Sequence, residues 1–201
     1  MNDAMSPRLR DAPVPAQRGL TLIIVMLILV VVTILGIGGA QIALLGERST
    51  RYDRDYLVAS QAAEAALVDA EADIDGAGTR AASFTPNNLG IFPWDACGTT
   101  DPTNLGLCRP SDLARQPQLW ATVNFVNGDN SVPFGKFTGR TLRSGNVGIQ
   151  PELPPRYIIE LVVDQTPPIV AAAPVYMYRI TAIGFGPRKE VQVVMQTAYR
   201  K

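Results

Sequence analysis

Residues 20–46 read LTLIIVMLILVVVTILGIGGAQIALLG, and this stretch decides how the rest of the chain is interpreted. It runs for 27 residues without a charged side chain. An α-helix needs about 20 predominantly apolar residues to cross a hydrocarbon core about 30 Å thick. The stretch therefore predicts a membrane-spanning helix near the start of the chain, preceded by a polar leader over residues 1–19.

The apolar stretch is too long for an ordinary secretory signal, in which an apolar region of about 7 to 15 residues is followed by a small-residue cleavage site. Here Gly19 stands directly before the stretch, next to Arg18. A plain signal anchor with an incidental glycine is the alternative interpretation. Arginines occur on both sides of the stretch, so its orientation does not follow from the flanking charges.

A second helical pattern follows the apolar stretch directly. Six residues spaced four, three, four, three and four apart line one helical face: Tyr52, Tyr56, Ala59, Ala63, Ala66 and Ala70. Charged residues fill the remaining positions: Arg51, Asp53, Arg54, Asp55, Glu64, Asp69 and Glu71. The first helix breaker is Gly76. One helix is therefore predicted from about Leu20 to about Asp75, membrane-spanning over residues 20–46 and amphipathic over residues 47–75.

The middle of the chain, residues 76–155, is rich in Gly, Pro, Asn, Asp and Thr and contains only short apolar pieces. This composition predicts loops and a few short strands. The aromatic residues of segment 90–94 and Trp120 are expected to bury their rings against the long helix. Stacking of a bound carbohydrate on these rings is the alternative.

The C-terminal part, residues 156–201, has the pattern of an antiparallel sheet. Three segments are rich in Val, Ile and Tyr, the residue types that fit a pleated and half-buried surface: 157–164, 175–183 and 191–198. Residues 184–188 predict a hairpin between the last two segments. The proline-rich residues 165–174 predict an exposed connection. The predicted fold is α+β, with the alanine face of the long helix packed on this sheet.

Two cysteines, Cys97 and Cys108, are separated by ten intervening residues in a segment dense in Gly, Pro, Asp and Thr. This spacing suits one small disulfide loop within the irregular region. Two unpaired thiols in a cytosolic domain are the alternative. A structural zinc site needs four ligands at paired spacings, and the chain has no histidine and no second cysteine pair.

The composition argues against nucleic-acid binding and catalysis. Eighteen basic and 18 acidic side chains leave no net charge, whereas a phosphate binder needs a clustered basic excess. The absence of histidine excludes the usual triads and imidazole bases. Two pairs of acids, Asp73 with Asp75 and Asp95 with Asp101, lack the ligand spacing of a calcium loop and are predicted to be solvated surface. No enzyme, metal or cofactor is expected.

The leader junction Gly19-Leu20-Thr21-Leu22-Ile23 resembles the class III leader of type IV pilins and pseudopilins. The resemblance implies cleavage by a prepilin peptidase between Gly19 and Leu20, and N-methylation of Leu20. Most pilins carry a glutamate at the fifth position after the cut, where this chain has Ile24. Subunits at the filament tip are more similar to this pattern than the repeating shaft subunit is.

Further segments look like those of the PilX-type minor pilins. They are Gln61-Ala62-Ala63-Glu64-Ala65-Ala66-Leu67, Gly106-Leu107-Cys108, Pro155-Arg156-Tyr157-Ile158-Ile159-Glu160, Tyr178-Arg179-Ile180-Thr181-Ala182 and Gln196-Thr197-Ala198-Tyr199-Arg200. The resemblance covers the first 75 and the last 50 residues well, and the middle poorly. It implies a type IV pilin-like fold and a subunit that primes pilus assembly and stays at the filament tip.

The implied partners are other minor pilins, the major pilin, the prepilin peptidase, the inner-membrane assembly platform, a tip adhesin and membrane lipid, with no nucleic acid. The implied location is the bacterial inner membrane, with a single span and a periplasmic C-terminal domain, and then the pilus tip in adhesion and twitching motility. The alternatives are a membrane-anchored periplasmic binding protein and a minor pseudopilin of type II secretion.

Overall fold

The computed structural model describes residues 20–112, 117–145, 147–163 and 175–201. The predicted leader, residues 1–19, and the predicted proline-rich connection, residues 165–174, lie outside the described residues. The chain divides into two compact units, one ending at Ser49 and the other comprising Thr50–Lys201.

The first unit contains the apolar part of helix α1, which runs over Leu20–Asp75. Nearly all of its large apolar side chains are exposed, from Leu20 to Leu45. By length and composition, α1 is able to cross a membrane. The helix ends one residue before Gly76, whose amide donates a hydrogen bond to the Ala72 carbonyl oxygen at 2.6 Å. The predicted single helix is confirmed.

The described residues of the second unit form a five-stranded sheet. Its strands are β1 (Leu107–Cys108), β2 (Val132–Pro133), β3 (Arg156–Val163), β4 (Tyr176–Phe185) and β5 (Gln192–Tyr199). The strand order is β1-β3-β4-β5, and β2 also pairs with β3. β1 is parallel to β3, and the other pairs are antiparallel, so the sheet is mixed. The predicted α+β fold is confirmed, and the three long strands agree with the predicted segments within two residues.

Among the described residues between α1 and β3 there are three short 3-10 helices. They span Ala81–Ser83, Leu89–Ile91 and Leu119–Thr122. The middle of the chain therefore consists mainly of turns and single helical turns, as its Gly- and Pro-rich composition predicts.

The alanine face of α1 packs on one face of the sheet, here called the inner face. Ala66, Ala70 and Ile74 form one core with inner-face residues that include Tyr157, Ile159, Leu161, Tyr178, Ile180 and Ala182. Alanines allow a close approach, and Gly184 of β4 shows it. A Cβ at this position would lie 2.0 Å from the Ala59 carbonyl oxygen and 2.3 Å from the Ala63 nitrogen. The helix and β4 thus touch backbone to backbone.

The opposite face of the sheet is covered by the middle segment. Side chains alternate along a strand, so Ile158 points away from α1. It forms a second core with Cys108, Val123, Phe125, Ile183 and Phe185, and Trp120 packs against this core. The expectation that Trp120 packs on the helix is therefore wrong. The middle segment supplies its own apolar cover for this face.

The structure also corrects the prediction for segment 90–94. Phe92 is buried and packs on Phe84 and Tyr178, with ring centroids 6.1 Å away in both cases. Trp94, however, remains 61% exposed, and the guanidinium of Arg109 lies 3.8 Å from its ring centroid. The expected burial of Trp94 is wrong because its ring stacks on a surface arginine.

The first two residues of the predicted helical face lie in α1 but are not covered by the sheet. Tyr52 and Tyr56 are 56% and 46% exposed in the single chain. Three aspartates, in contrast, are buried although acidic residues are expected to face solvent: Asp55, Asp69 and Asp73. They lie on the stripe of positions 55, 59, 62, 66, 69 and 73, which repeats every three or four residues and faces the sheet. Each of the three acids binds a segment outside α1.

Candidate functional site

The buried acid Asp73 fixes the C-terminal end of α1 to the sheet. Arg80 Nε lies 3.2 Å from both carboxylate oxygens of Asp73, and its Nη1 donates to the Leu105 carbonyl oxygen at 2.7 Å. The Tyr157 hydroxyl donates to Asp73 Oδ2 at 3.0 Å. The Arg80 guanidinium also lies 3.7 Å from the centroid of the Phe137 ring. One carboxylate thus joins the helix, the loop before β1 and strand β3.

Burial determines the electrostatics of this cluster. Asp73 and Tyr157 are fully buried, and Arg80 is 6% exposed. Burial, followed by the charge of Asp73, raises the pKa of Tyr157 well above its ordinary value. Tyr157 therefore stays protonated and donates to the carboxylate. A buried charge needs this compensation, because an unpaired one would cost several kcal/mol, about 3–5 when a partner is removed.

Asp69 holds the loop that follows β2. Its carboxylate accepts a hydrogen bond from the Gly135 amide at 2.8 Å and another from the Thr138 hydroxyl. Arg140 extends the attachment by donating to the Val68 carbonyl oxygen at 3.4 Å. The loop is thereby fixed to the last turns of α1.

Asp55 holds the turn between β4 and β5. Arg188 contacts its carboxylate through Nε at 3.2 Å and through Nη2 at 3.1 Å. Arg54 Nη2 lies 3.3 Å from the same carboxylate. This turn follows Gly184, which contacts Ala59 of α1, one helical turn from Asp55.

The two cysteines form a disulfide, Cys97–Cys108, with a Cα–Cα distance of 4.3 Å. Cys108 belongs to β1 and lies opposite Glu160 of β3, so the disulfide attaches the loop to the sheet. Inside the loop, the Gly98 amide donates to the Leu107 carbonyl oxygen at 2.9 Å, and the Gly106 amide donates to the Gly98 carbonyl oxygen at 3.0 Å. The loop is a compact part of the domain.

Replacing both cysteines, Cys97→Ser with Cys108→Ser, is expected to destabilise the domain by about 3 kcal/mol, because the disulfide restricts a loop of this length in the unfolded chain. Urea unfolding of the detergent-solubilised full chain would measure the loss. Reduced wild-type protein serves as the control, since it loses the same bond without a change of sequence. An unchanged urea midpoint in both samples would contradict a stabilising role.

The four aspartates considered as calcium ligands bind other groups of the protein. Asp73 binds Arg80, so its prediction as solvated surface is wrong. Asp75 accepts a hydrogen bond from the Tyr199 hydroxyl. Asp95 accepts hydrogen bonds from the Ser111 amide at 2.9 Å and from its hydroxyl at 2.7 Å. The Asp101 carboxylate lies 2.8 Å from Lys136 Nζ. In the described part of the chain, no three His, Cys, Asp or Glu side chains are grouped so that they could hold a metal ion.

The predicted processing residues lie at the start of the chain. Gly19 falls outside the described residues, and Leu20 is the first residue of α1. Ile24 is 49% exposed within the apolar part of α1. Among the described residues from Leu20 to Leu45, no carboxylate is present at the position where pilins carry their acid or elsewhere.

Two family models match this chain. One, described as "Type IV pilus assembly protein PilX C-term", matches residues 92–201, more than half of the chain, and one described as "PilX N-terminal" matches residues 18–68. The chain belongs to the PilX family of type IV pilus assembly proteins. The two matches cover most of α1, the disulfide loop and the whole sheet of this PilX protein.

Family membership assigns these elements to pilus assembly. PilX proteins are structural components of the type IV pilus and associate with other pilus components. No significant match to a curated protein or to a solved structure was found. The two family matches confirm, at the level of the family, the resemblance seen in residues 61–67 and in the last 50 residues.

The sequence patterns did not predict three groups that hold this PilX domain together: Asp55 with Arg188, Asp69 with Thr138, and Asp73 with Arg80 and Tyr157. A signal was present, because these aspartates occupy the same helical stripe as the buried alanines. An acid on an apolar stripe indicates a buried and paired carboxylate.

Proposed function

We propose that this PilX protein is a minor pilin that primes pilus assembly in the inner membrane and remains at the filament tip with other minor pilins. The observation that supports this most strongly is Ile24, in the position where pilins carry an acid. In pilins that acid is paired with the terminal amine of a neighbouring subunit. The first subunit of a filament has no earlier neighbour, and an unpaired carboxylate in the bilayer is costly, up to roughly 2.5–3.5 kcal/mol at the bilayer centre. An apolar residue avoids this cost.

The proposed mechanism is packing, without catalysis. The prepilin peptidase removes residues 1–19, and α1 then holds the protein in the inner membrane with its C-terminal domain in the periplasm. On the assembly platform, α1 exchanges contacts with lipid for contacts with the helices of other minor pilins and the major pilin. Gly36, Gly38 and Gly39 have open space around their Cα atoms and allow such helices to approach closely. The domain then supports a tip adhesin.

Processing is tested at the leader junction. Co-expression with an active prepilin peptidase is expected to shorten the wild-type chain by the leader through Gly19. Gly19→Ala is expected to reduce or block this cleavage, because a methyl group is added next to the bond that is cut. Gly46→Ala, the same change at the other end of the apolar stretch, is the matched control and should be processed normally. Full-length wild-type protein in the presence of the active enzyme would contradict the proposal.

Priming is tested by counting pili. A strain that lacks this gene is expected to show few or no surface pili, because fewer filaments are started. The pili should reappear when the retraction motor is also deleted, because rare filaments then persist. A wild-type number of pili in the single deletion would contradict priming. Failure of the pili to reappear in the double deletion would instead indicate a part that is needed for elongation.

A further inference from the structure

Strand β5 forms one edge of the sheet. Its eight residues pair with β4 on one side, and in the described part of the chain no strand lies on the other side. The strand is held firmly from its inner face, where Val193 packs with Ala59 and Ala63 of α1 and Met195 adjoins them. The edge is therefore a fixed, extended backbone.

The strand register shows which backbone groups face outward. The Gly186 amide donates to the Val191 carbonyl oxygen at 2.8 Å, and the pairing continues through Gly184 with Val193 and Ala182 with Met195. In an antiparallel pair, hydrogen-bonded residues alternate with residues whose groups point away. The residues whose N–H and C=O groups point away from β4 are thus Gln192, Val194, Gln196 and Ala198. They offer four donors and four acceptors in a row.

This edge lacks the features that normally prevent pairing. Natural edge strands are protected by charged side chains, proline, bulges or a very short length. Residues 191–199 contain neither a charged residue nor a proline, and they are rich in residues that favour strands. The side chains of these four residues are uncharged, and Val194 is 43% exposed. An unprotected edge of this length is suited to accept another strand.

A second copy of the chain does not fit as an antiparallel partner. Such a pair has a twofold axis perpendicular to the sheet, and this axis reverses every direction that lies in the sheet plane. The domain part of α1 lies along the inner face and would be reversed as well. Two chains that enter their domains from the same membrane need α1 to run in the same sense. In the described part of the chain, the opposite edge of the sheet carries only the two-residue strands β1 and β2, which are too short to pair with all of β5 in a head-to-tail arrangement. An antiparallel partner of β5 is therefore expected to come from a different protein.

We infer that β5 binds an extended, uncharged strand of another pilus subunit, which continues the sheet beyond β5 by β-augmentation. Main-chain hydrogen bonds to Gln192, Val194, Gln196 and Ala198 would provide the affinity, and alternate side chains of the partner would provide specificity. This inference rests on membership of the pilus family and not on the priming role, so the two can fail separately.

Photo-crosslinking of the full chain in piliated cells tests the inference. A photoreactive phenylalanine analogue at Gln196 is expected to form an adduct with another pilus subunit, identified by mass spectrometry. The same analogue at Val147, a loop residue that is 78% exposed, is the control for random collision. A homodimer adduct from Gln196, or no adduct beyond that of the Val147 control, would overturn the inference.

A backbone variant tests the hydrogen bonds themselves. Gln196→Pro removes an outward-facing N–H and leaves the donors to β4 in place, whereas Gln196→Ala keeps that N–H. Both variants lose the hydrogen bond from Gln196 Nε2 to the Thr181 hydroxyl, so they differ in the backbone alone. The proline is expected to reduce co-purification of the crosslinked subunit roughly tenfold, and the alanine to have little effect. An equal yield of the partner from both variants would overturn the inference. The Gln196 crosslink gives an independent result if the proline variant does not fold.

Discussion

Gly184→Ala is expected to destabilise the domain by about 3 kcal/mol or more, at the upper end of what overpacking costs. The added Cβ would lie 2.0 Å from the Ala59 carbonyl oxygen and 2.3 Å from the Ala63 nitrogen, and both are backbone atoms of α1. No side chain can turn aside to make room. The helix must therefore move away from β4 and lose its contacts with Val193. A loss of this size is a large part of the total stability of a typical domain.

Gly90→Ala provides the matched control for this substitution. A Cβ at Gly90 would have no atom within 4 Å, so the same chemical change is expected to shift the stability by no more than about 0.5 kcal/mol. Thermal and urea unfolding of the two detergent-solubilised full-length variants would measure the difference. Equal melting temperatures would show that α1 does not touch β4 at this position.

Asp73→Ala is expected to cost about 3–5 kcal/mol, because it leaves the guanidinium of Arg80 buried without a counter-charge. It also removes the acceptor of the Tyr157 hydroxyl. Asp53→Ala is the control, since Asp53 is an exposed aspartate of the same helix. Urea unfolding should therefore show a large shift of the midpoint for the first variant and almost none for the second.

The double variant Asp73→Leu with Arg80→Met tests whether charge compensation is the reason. Replacing both partners of a buried pair with apolar residues usually costs less than removing one of them. The double variant is therefore expected to be more stable than Asp73→Ala alone. If it is less stable by the sum of the two single losses, the two side chains do not act as a pair.

The sequence was sufficient to predict those elements whose signals are local. Helix α1 follows from an uninterrupted apolar run, an alanine stripe and a breaker at Gly76. The long strands follow from clusters of Val, Ile and Tyr between turn residues. The two short strands have no such signal. β1 is only two residues long, and its parallel pairing with β3 depends on the disulfide and on contacts between residues that lie about 50 positions apart.

The buried aspartates show why the interior of the domain was harder to predict. An aspartate is normally assigned to the surface, because burying an unpaired carboxylate is costly. Asp73 is buried because Arg80, seven residues later, and Tyr157, on a distant strand, meet it in the fold. Trp94 is the opposite case, an aromatic residue that stays exposed beneath Arg109. Both outcomes depend on partners that periodicity does not reveal.

The most direct test of the proposed role is the mass of the N-terminal peptide of this protein, taken from purified fibres and from membranes. A pilus subunit that has passed through the prepilin peptidase is expected to begin at Leu20 and to carry a methyl group on its amine. A polypeptide that still begins at Met1 in both fractions would contradict processing, and with it the assembly of this chain into a filament.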